Sequence, residues 1–254
     1  MRPEQRRQAI LRRSRQSGRV EVPDLADELC VAVETVRRDL QTLEDQGLVR
    51  RVHGGAYPVE TAAFESGMAY RAQNNVPQKR RIAAEAVARL GDAETVFVDE
   101  GFTPQLVAID LAELQRPLTV VTASLPAATA LAGCTWITTV LLGGRVRSGT
   151  LGAIGPATTA QLADLVIDLA YLGANGVSRR FGLTTPDPAV AAVKACAVAS
   201  AKRRIFIGTY AKFGISSFHR FAAVPDFEVL VTDTGLPAAE SHRYTALGPS
   251  VVRV

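Results

Sequence analysis

The sequence predicts an α/β chain in two parts: a small helical head closed by a β-ribbon, then a larger domain on a mostly parallel sheet. Three observations predict it. Apolar residues among the first sixty positions recur at helical spacing, interrupted by single turn signals. From residue 79 onward, uninterrupted apolar strands alternate with helices, as in a sheet covered on both faces. The length of 254 residues exceeds the usual single domain, and 47% apolar content is ample for two cores.

Pro3 to Gln16 carries Ile10 and Leu11 among long polar residues and reads as a first helix, ended by Ser17-Gly18. Val20-Glu21-Val22 alternates like a short strand. Pro23-Asp24 opens a second helix, because proline suits a first helical position and an acid complements the helix N-terminus. Leu25, Ala26 and Leu29 give it a buried side. After a break at Cys30-Val31-Ala32, Val33 to Gln46 forms a third helix, and Gly47 stops it. Val36, Leu40 and Leu43 fall at i, i+4 and i+7, which leaves Thr35, Arg37, Arg38 and Gln41 facing outward.

Two adjacent arginines on the first turns of a short helix suit a major groove, where guanidinium forks onto guanine or clamps a phosphate. The plainer reading is a solvated face on which Glu34 and Arg38 pair at i,i+4. The residues after the helix favour the groove. Leu48 to Gly55 reads as a strand, a tight turn at His53-Gly54 and the return of a small wing. Helix, helix, turn, helix and wing in under sixty residues is a winged helix-turn-helix. Charge agrees: residues 2–19 hold seven arginines and one acid, Glu4, a local +6 against +4 for the whole chain. A basic end on a nearly balanced protein points to a polyanion.

The run Val31-x-x-x-Thr35-Val36-Arg37-Arg38-Asp39-Leu40, then Leu43-Glu44-x-x-Gly47 and Arg51-Val52-His53-Gly54-Gly55-Ala56, strongly resembles the DeoR family of bacterial transcriptional regulators. The resemblance implies operator DNA as partner, with Thr35, Arg37, Arg38, Gln41, Arg51, His53 and Gly54 contacting it. Ala32 stands where the family usually has serine at the N-cap, a loss of about 1 kcal/mol of helix-end stability.

These boundaries place the head at 1–57 and a linker at 58–78, where Gly, Pro and Asn74-Asn75 break any period and Phe64, Tyr70 and Arg71 can dock on the next domain. The α/β domain takes 79–254. Lys79–Leu90 is amphipathic; Thr95–Asp99, Leu118–Thr122, Thr138–Leu142, Tyr171–Ala174, Arg204–Gly208 and Glu228–Thr232 read as strands. Leu106–Leu114, Leu125–Ala132, Thr158–Leu165 and Ala189–Ala201 supply helices.

Ligands of such sheets bind at the carboxyl ends of strands. Those ends carry Asp99-Glu100-Gly101-Phe102-Thr103, Thr122-Ala123-Ser124, Gly143-Gly144-Arg145 and Asn175-Gly176, with Lys212 past another strand. Glycines, hydroxyls and cations together suit a phosphate.

The DeoR resemblance extends over this domain, whose family sensor resembles ribose-5-phosphate isomerase. It rests on Asp99-x-Gly101-Phe102-Thr103, Val121–Ser124, Gly143-Gly144-Arg145-Val146-Arg147, Gly173–Gly176, Gly182–Pro188, Lys194 and a partial Thr209–Phe213 motif. It implies an effector-sensing domain. Phosphate would lie on the Gly101–Thr103, Thr122–Ser124 and Gly143–Arg145 loops, with Lys194 or Lys212 neutralising it. Asp99, Glu100 and Asn175 would address sugar hydroxyls, and Gly182–Pro188 would close over the ligand. Phe102, Ala123 and Thr209 each remove a polar group that the family usually offers.

The rival reading is a sugar-phosphate isomerase carrying a DNA-binding domain. Isomerisation needs a carboxylate to move a proton between carbons. The segment resembling the isomerases' acidic motif is Leu172-Gly173-Ala174-Asn175-Gly176, which has no acid. A nicotinamide site lacks its Gly-x-Gly-x-x-Gly, and a kinase its Gly-Lys-Ser/Thr loop. The expectation is therefore a DNA-binding regulator, a repressor of sugar-metabolism genes relieved by a phosphorylated sugar. No catalytic residue, cofactor or metal is expected, since Cys30, Cys134, Cys196 and the three histidines are scattered. Cytoplasmic location is expected because no apolar run approaches the ~20 residues of a membrane span. A homo-oligomer, dimer or tetramer, is expected because one head covers only a short half-site.

Overall fold

The computed structural model describes residues 2–17, 19–45, 48–52, 54–58, 68–72 and 74–254. It divides into two compact units, residues 1–73 and 74–254.

In the first unit, α1 (Pro3–Ser17), β1 (Val20–Glu21), α2 (Val22–Glu28) and α3 (Val33–Asp45) precede β2 (Val49–Val52) and β3 (Gly55–Pro58). The three strands form one antiparallel sheet in the order β1-β3-β2, so Val20-Glu21 is the third strand of the wing. Pro23 occupies the first turn of α2, where its missing N–H costs nothing. Ile10, Leu25, Val36, Leu40, Leu43, Val49 and Ala56 form the core. Each buried Leu or Ile side chain there contributes about 1.5–3 kcal/mol. The helical stripe predicted for α3 is the stripe that the core receives. Gly47, expected to stop the helix, lies outside the described residues.

The stretch read as linker is not wholly irregular. A short helix α4 (Met68–Arg71) lies in it, and α5 (Val76–Ala88) begins there, with Pro77 in its first turn. Phe64 lies outside the described residues.

The second unit continues with β4 (Thr95–Val98), α6 (Phe102–Glu113), β5 (Leu118–Thr122), α7 (Leu125–Leu131), β6 (Ile137–Leu141), β7 (Arg145–Val146) and β8 (Ala153–Ile154). Next come α8 (Pro156–Ala163), β9 (Ile167–Leu172), β10 (Gly176–Ser178), β11 (Gly182–Thr185), α9 (Pro188–Ser200) and β12 (Ala201–Ile207). The last elements are β13 (His219–Ala222), β14 (Val229–Thr232), α10 (Ala238–Thr245) and β15 (Ser250–Arg253). Seven strands form one parallel sheet in the order β15-β14-β12-β9-β4-β5-β6.

The central strands are apolar over most of their length because both faces are covered. Val96, Leu169, Tyr171, Ile205 and Ile207 point into one cluster with Ile82, Leu106 and Leu111. Their alternates Phe97, Ala170, Leu172 and Phe206 point into the other with Leu162, Val190 and Tyr244. That is the period-2 alternation of a strand inserted between helical layers. At the amino ends of the strands, Asp168 accepts hydrogen bonds from the Thr95 amide (3.0 Å), the Thr95 hydroxyl (2.8 Å) and the Lys202 ammonium (2.8 Å).

One expectation is corrected here. Gly182–Pro188 is not a closing loop: Gly182–Thr185 is a buried strand in the middle of a small antiparallel sheet, β10-β11-β13. Leu183 and Thr185 are fully buried. Its glycine serves a tight approach instead, since a Cβ on Gly182 would lie 2.1 Å from the Ala222 carbonyl. Periodicity alone does not predict that sheet, α10 or β15.

Candidate functional site

Helix α3 presents Arg37, Arg38 and Gln41 to solvent, with Thr35 half-buried, opposite Val36, Asp39, Leu40 and Leu43. Arg37 pairs with Glu34 at 3.3 Å, one turn away, rather than Arg38 as the solvated-face reading expects. Both partners are more than half exposed, so the pair contributes at most ~1 kcal/mol and yields readily to a phosphate. The Arg38 guanidinium has no partner among the described residues.

The wing is braced on this helix. The Arg51 amide donates to Glu44 Oε1 at 2.8 Å, and its guanidinium donates to Gln41 Oε1. Gln41 in turn donates to Asp45 at 2.9 Å. Helix α3 and the wing are therefore positioned together. Gly54 takes φ +80° in the wing turn, a conformation that favours glycine, and its carbonyl accepts from the Val22 amide. His53 lies outside the described residues.

The basic N-terminal stretch is less free than its charge suggests. Arg6 and Arg7 both pair with Asp39, which is 4% exposed; Arg13 pairs with Glu28 and Arg19 with Glu21. Asp39, at the end of the Arg37-Arg38-Asp39 motif, thus faces inward and ties α3 to α1. Much of the +6 is consumed in holding the head together.

In the second unit, strand order reverses between β4 and β9: the chain proceeds outward through β5 and β6, then returns to β9 and proceeds the other way. The crevice at such a switch point is where open α/β sheets bind ligands. Asp99, Glu100 and Gly101 leave β4 there, and Gly173 to Asn175 leave β9.

Asp99 and Lys194 occupy its floor and hold each other. Asp99 accepts from the Lys194 ammonium, from the Gly173 amide (2.9 Å) and from the Glu100 amide (2.8 Å). Lys194 also donates to the Gly173 carbonyl at 3.1 Å and lies over the Phe221 ring. In this arrangement Asp99 is not offered to a sugar hydroxyl, nor Lys194 to a phosphate.

Glu100 is covered by the β7–β8 hairpin. It accepts from the Thr150 hydroxyl at 2.5 Å and from Arg147 at 3.4 Å, and Arg147 also reaches Asp187 at 3.4 Å. Gly152 leaves room for this carboxylate, since a Cβ there would lie 2.0 Å from Glu100 Oε2 and would displace it. The arginine that reaches the end of β4 is therefore Arg147, not Arg145, which is exposed on β7. No spacing signal points to Thr150. Arg147 and Asp187 belong to recognisable motifs, but only the folded hairpin brings them to Glu100.

Thr122 and Ser124 are fully buried and serve the fold. Thr122 donates to the Val98 carbonyl at 2.7 Å, and Ser124 caps α7 by accepting from the Ala127 amide at 3.3 Å. Gly143 bonds α8, accepting from Thr158 at 2.7 Å, and a Cβ on Gly144 would strike the Thr158 hydroxyl. Asp187 caps α9 through the Ala189 and Val190 amides. Helix α6 differs: Gly101, at φ +116°, is its N-cap, with no side chain capping the first turn that contains Phe102 and Thr103.

Asn175 is buried; its side-chain oxygen accepts from Thr185 at 3.1 Å, and Nδ2 has no partner among the described residues. Gly176 opens β10 rather than a loop. Lys212 closes a single 3-10 turn, Tyr210–Lys212, beyond β12. Strands lie ~4.8 Å apart, so the ends of β12 and β6 are separated by about 19 Å. Lys212 and the Gly143–Arg145 turn thus flank the crevice from opposite sides and do not share one small anion. Among the described residues no cluster of His, Cys, Asp and Glu could hold a metal ion, and no helix is long and apolar enough to cross a membrane.

Comparison with known proteins agrees with both halves. The DeoR-like helix-turn-helix domain matches residues 6–62, and the DeoR C-terminal sensor domain matches 74–234. The chain is 33% identical to the uncharacterized HTH-type transcriptional regulator FruR of Bacillus subtilis, over 90% of each chain. It is 31% identical to the HTH-type transcriptional regulator GlpR of Haloferax volcanii, over 99% of this chain and 98% of that one. Identity to the glycerol-3-phosphate regulon repressor of Escherichia coli is 27%, over 94% of each. Among solved structures, ribose 5-phosphate isomerase A of Methanocaldococcus jannaschii matches 55% of each chain at 17% identity and a TM-score of 0.41.

Proposed function

The chain belongs to the DeoR family of transcriptional regulators, and on that premise we propose that it represses sugar-metabolism genes and is released from its operator by a phosphorylated sugar. The observation that carries the DNA-reading half is Arg37 and Arg38 exposed on α3, whose opposite face is locked in the core. Arg37 and Arg38 divide base reading and phosphate clamping, Thr35 and Gln41 flank them, and Arg51 with the His53-Gly54 turn takes the backbone or minor groove.

For the effector, support comes from the switch-point crevice. The uncapped first turn of α6 at Gly101–Thr103 offers amides to a phosphate. Lys212 on one side supplies positive charge, and Asn175 Nδ2 is a buried donor for an oxygen of the ligand. The Asp99–Lys194 pair frames the crevice. The relative named as a glycerol-3-phosphate regulon repressor favours a phosphorylated polyol or sugar over a neutral one. The protein acts as a homo-oligomer in the cytoplasm and catalyses no reaction; Asp99 and Glu100, the acids at the crevice, are already committed to internal donors. The proposed bounds are a head at 1–57, a linker at 58–78 that transmits the change, and a sensing domain at 79–254.

The test is an operator-binding titration with a panel of sugar phosphates and their unphosphorylated counterparts. Coupling of 1–3 kcal/mol is the usual scale, so a roughly 5- to 150-fold loss of DNA affinity is expected with the right phosphate. Lys212→Ala should bind operator normally but respond weakly. Equal release by the unphosphorylated sugar would sink the phosphate assignment.

A further inference from the structure

Strand β6 ends the parallel sheet, and among the described residues no strand pairs with its outer side. An open edge normally carries a charge, a proline or a bulge that prevents pairing with another chain. The opposite edge strand, β15, carries Arg253. Strand β6, Ile137-Thr138-Thr139-Val140-Leu141, carries no such guard, and positions 134–144 contain no charged residue. Val140 and Leu141 are 38% and 45% exposed. Beside them, Leu125 at the start of α7 and Leu151 on the β7–β8 hairpin are joined by a main-chain bond of 3.1 Å, and both are exposed, as is Val146.

The ladder fixes which groups the edge offers. The Trp136 carbonyl accepts from the Leu118 amide, and the Leu142 amide donates to the Thr122 carbonyl. In a parallel pair the bonding residues alternate, so the even-numbered residues of β6 turn their main chain toward β5. Ile137, Thr139 and Leu141 turn theirs outward. This outward set is symmetric about Thr139, which is what a twofold contact requires.

We propose that β6 pairs antiparallel with β6 of a second copy of this chain, about a twofold axis at Thr139, joining two seven-stranded sheets into one. Thr139 then exchanges both main-chain bonds with its counterpart, and Ile137 pairs with Leu141 of the partner subunit. Thr138 and Val140 face each other across the seam. In this register only Thr139 faces its own copy, and the uncharged strand buries only Ile, Thr, Val and Leu at the seam. The assignment rests on the homo-oligomer reading above and names its surface.

Two variants of the whole 254-residue chain test it by sedimentation equilibrium. Thr139→Pro removes an outward amide and no bond to β5, and Leu141→Lys places like charges on the seam from a position that is already exposed. Both should keep the far-UV spectrum of wild type and halve the mass of the assembly. As a test that needs no loss of function, Thr139→Cys in a Cys30→Ser background should form a covalent dimer under mild oxidation, with Cys30→Ser alone as the uncrosslinked control. A wild-type monomer overturns both this assignment and the oligomer reading. A wild-type oligomer whose mass neither variant changes, and which Thr139→Cys does not crosslink, overturns the edge assignment alone.

Discussion

Lys194 and Asp99 form an ion pair across the floor of the crevice, with 4% and 1% of their surfaces exposed. The carboxylate also collects the Gly173 and Glu100 amides, so three segments of chain meet on one side chain and its partner. Removing one member strands a buried charge. Lys194→Ala should therefore cost about 3–5 kcal/mol in urea unfolding of the full chain. The double variant Lys194→Met, Asp99→Asn should recover part of it. A loss below about 1 kcal/mol in the single variant would show that the site is hydrated and the pair dispensable.

Asp39 gives a prediction that separates seating from reading. It lies between the exposed Arg38 and the core, bonded to Arg6 of α1. Asp39→Ala should destabilise the head by about 1.5–3 kcal/mol, the range for hydrogen bonds to charged groups. Operator binding should weaken with it. If the melting temperature stayed unchanged while binding fell, Asp39 would be acting at the DNA instead.

Arg37→Ala and Arg38→Ala should leave thermal stability within about 0.5 kcal/mol, since neither contributes to the core. The one that reads a base should cost ~1–3 kcal/mol and relax preference at that base pair; the one on phosphate should weaken all sequences alike and reduce the salt slope. Operator variants in an anisotropy titration distinguish the two. Unaltered affinity and preference in the double alanine variant would remove α3 as the reader.

Asp168 makes stability depend on pH. The Lys202 ammonium first, then Thr95, hold its carboxyl well below the usual carboxylate range. A lowered folded value means the contribution is fully present above the unfolded pKa of about 3.9 and is lost as pH falls toward the folded one. The stability difference between wild type and Asp168→Asn should be constant near neutrality and narrow below about pH 4. A difference that widens on acidification would reverse the sign and refute the assignment.

How far the sequence could be read depended on how local each cause was. The helical stripe of α3, the wing, and the strands that alternate between two helical layers are set by neighbours within a few residues, so periodicity carried them. The glycines and acids at the strand ends were visible for the same reason. What those residues do was not. Asp99 and Lys194 lie 95 positions apart, and Arg6 and Asp39 lie 33 apart, so nothing in the spacing says that they bond. Gly182–Pro188 is punctuated by a glycine and two prolines, yet its first four residues form a buried strand flanked by β10 and β13.

The sequence by itself determined the helices of the head and the central strands with the apolar face of each, because backbone propensity and side-chain period act at short range. It did not determine β10, β11, β13, α10 or β15. Only the tertiary structure decided which charges remain available to a ligand. Thr122, Ser124, Asp99 and Lys194 were all chemically suited to a sugar phosphate, yet buried polar groups must find partners, and the fold supplied internal ones. Among the described residues, the same packing left Asn175 Nδ2 without a partner and the outer edge of β6 unpaired.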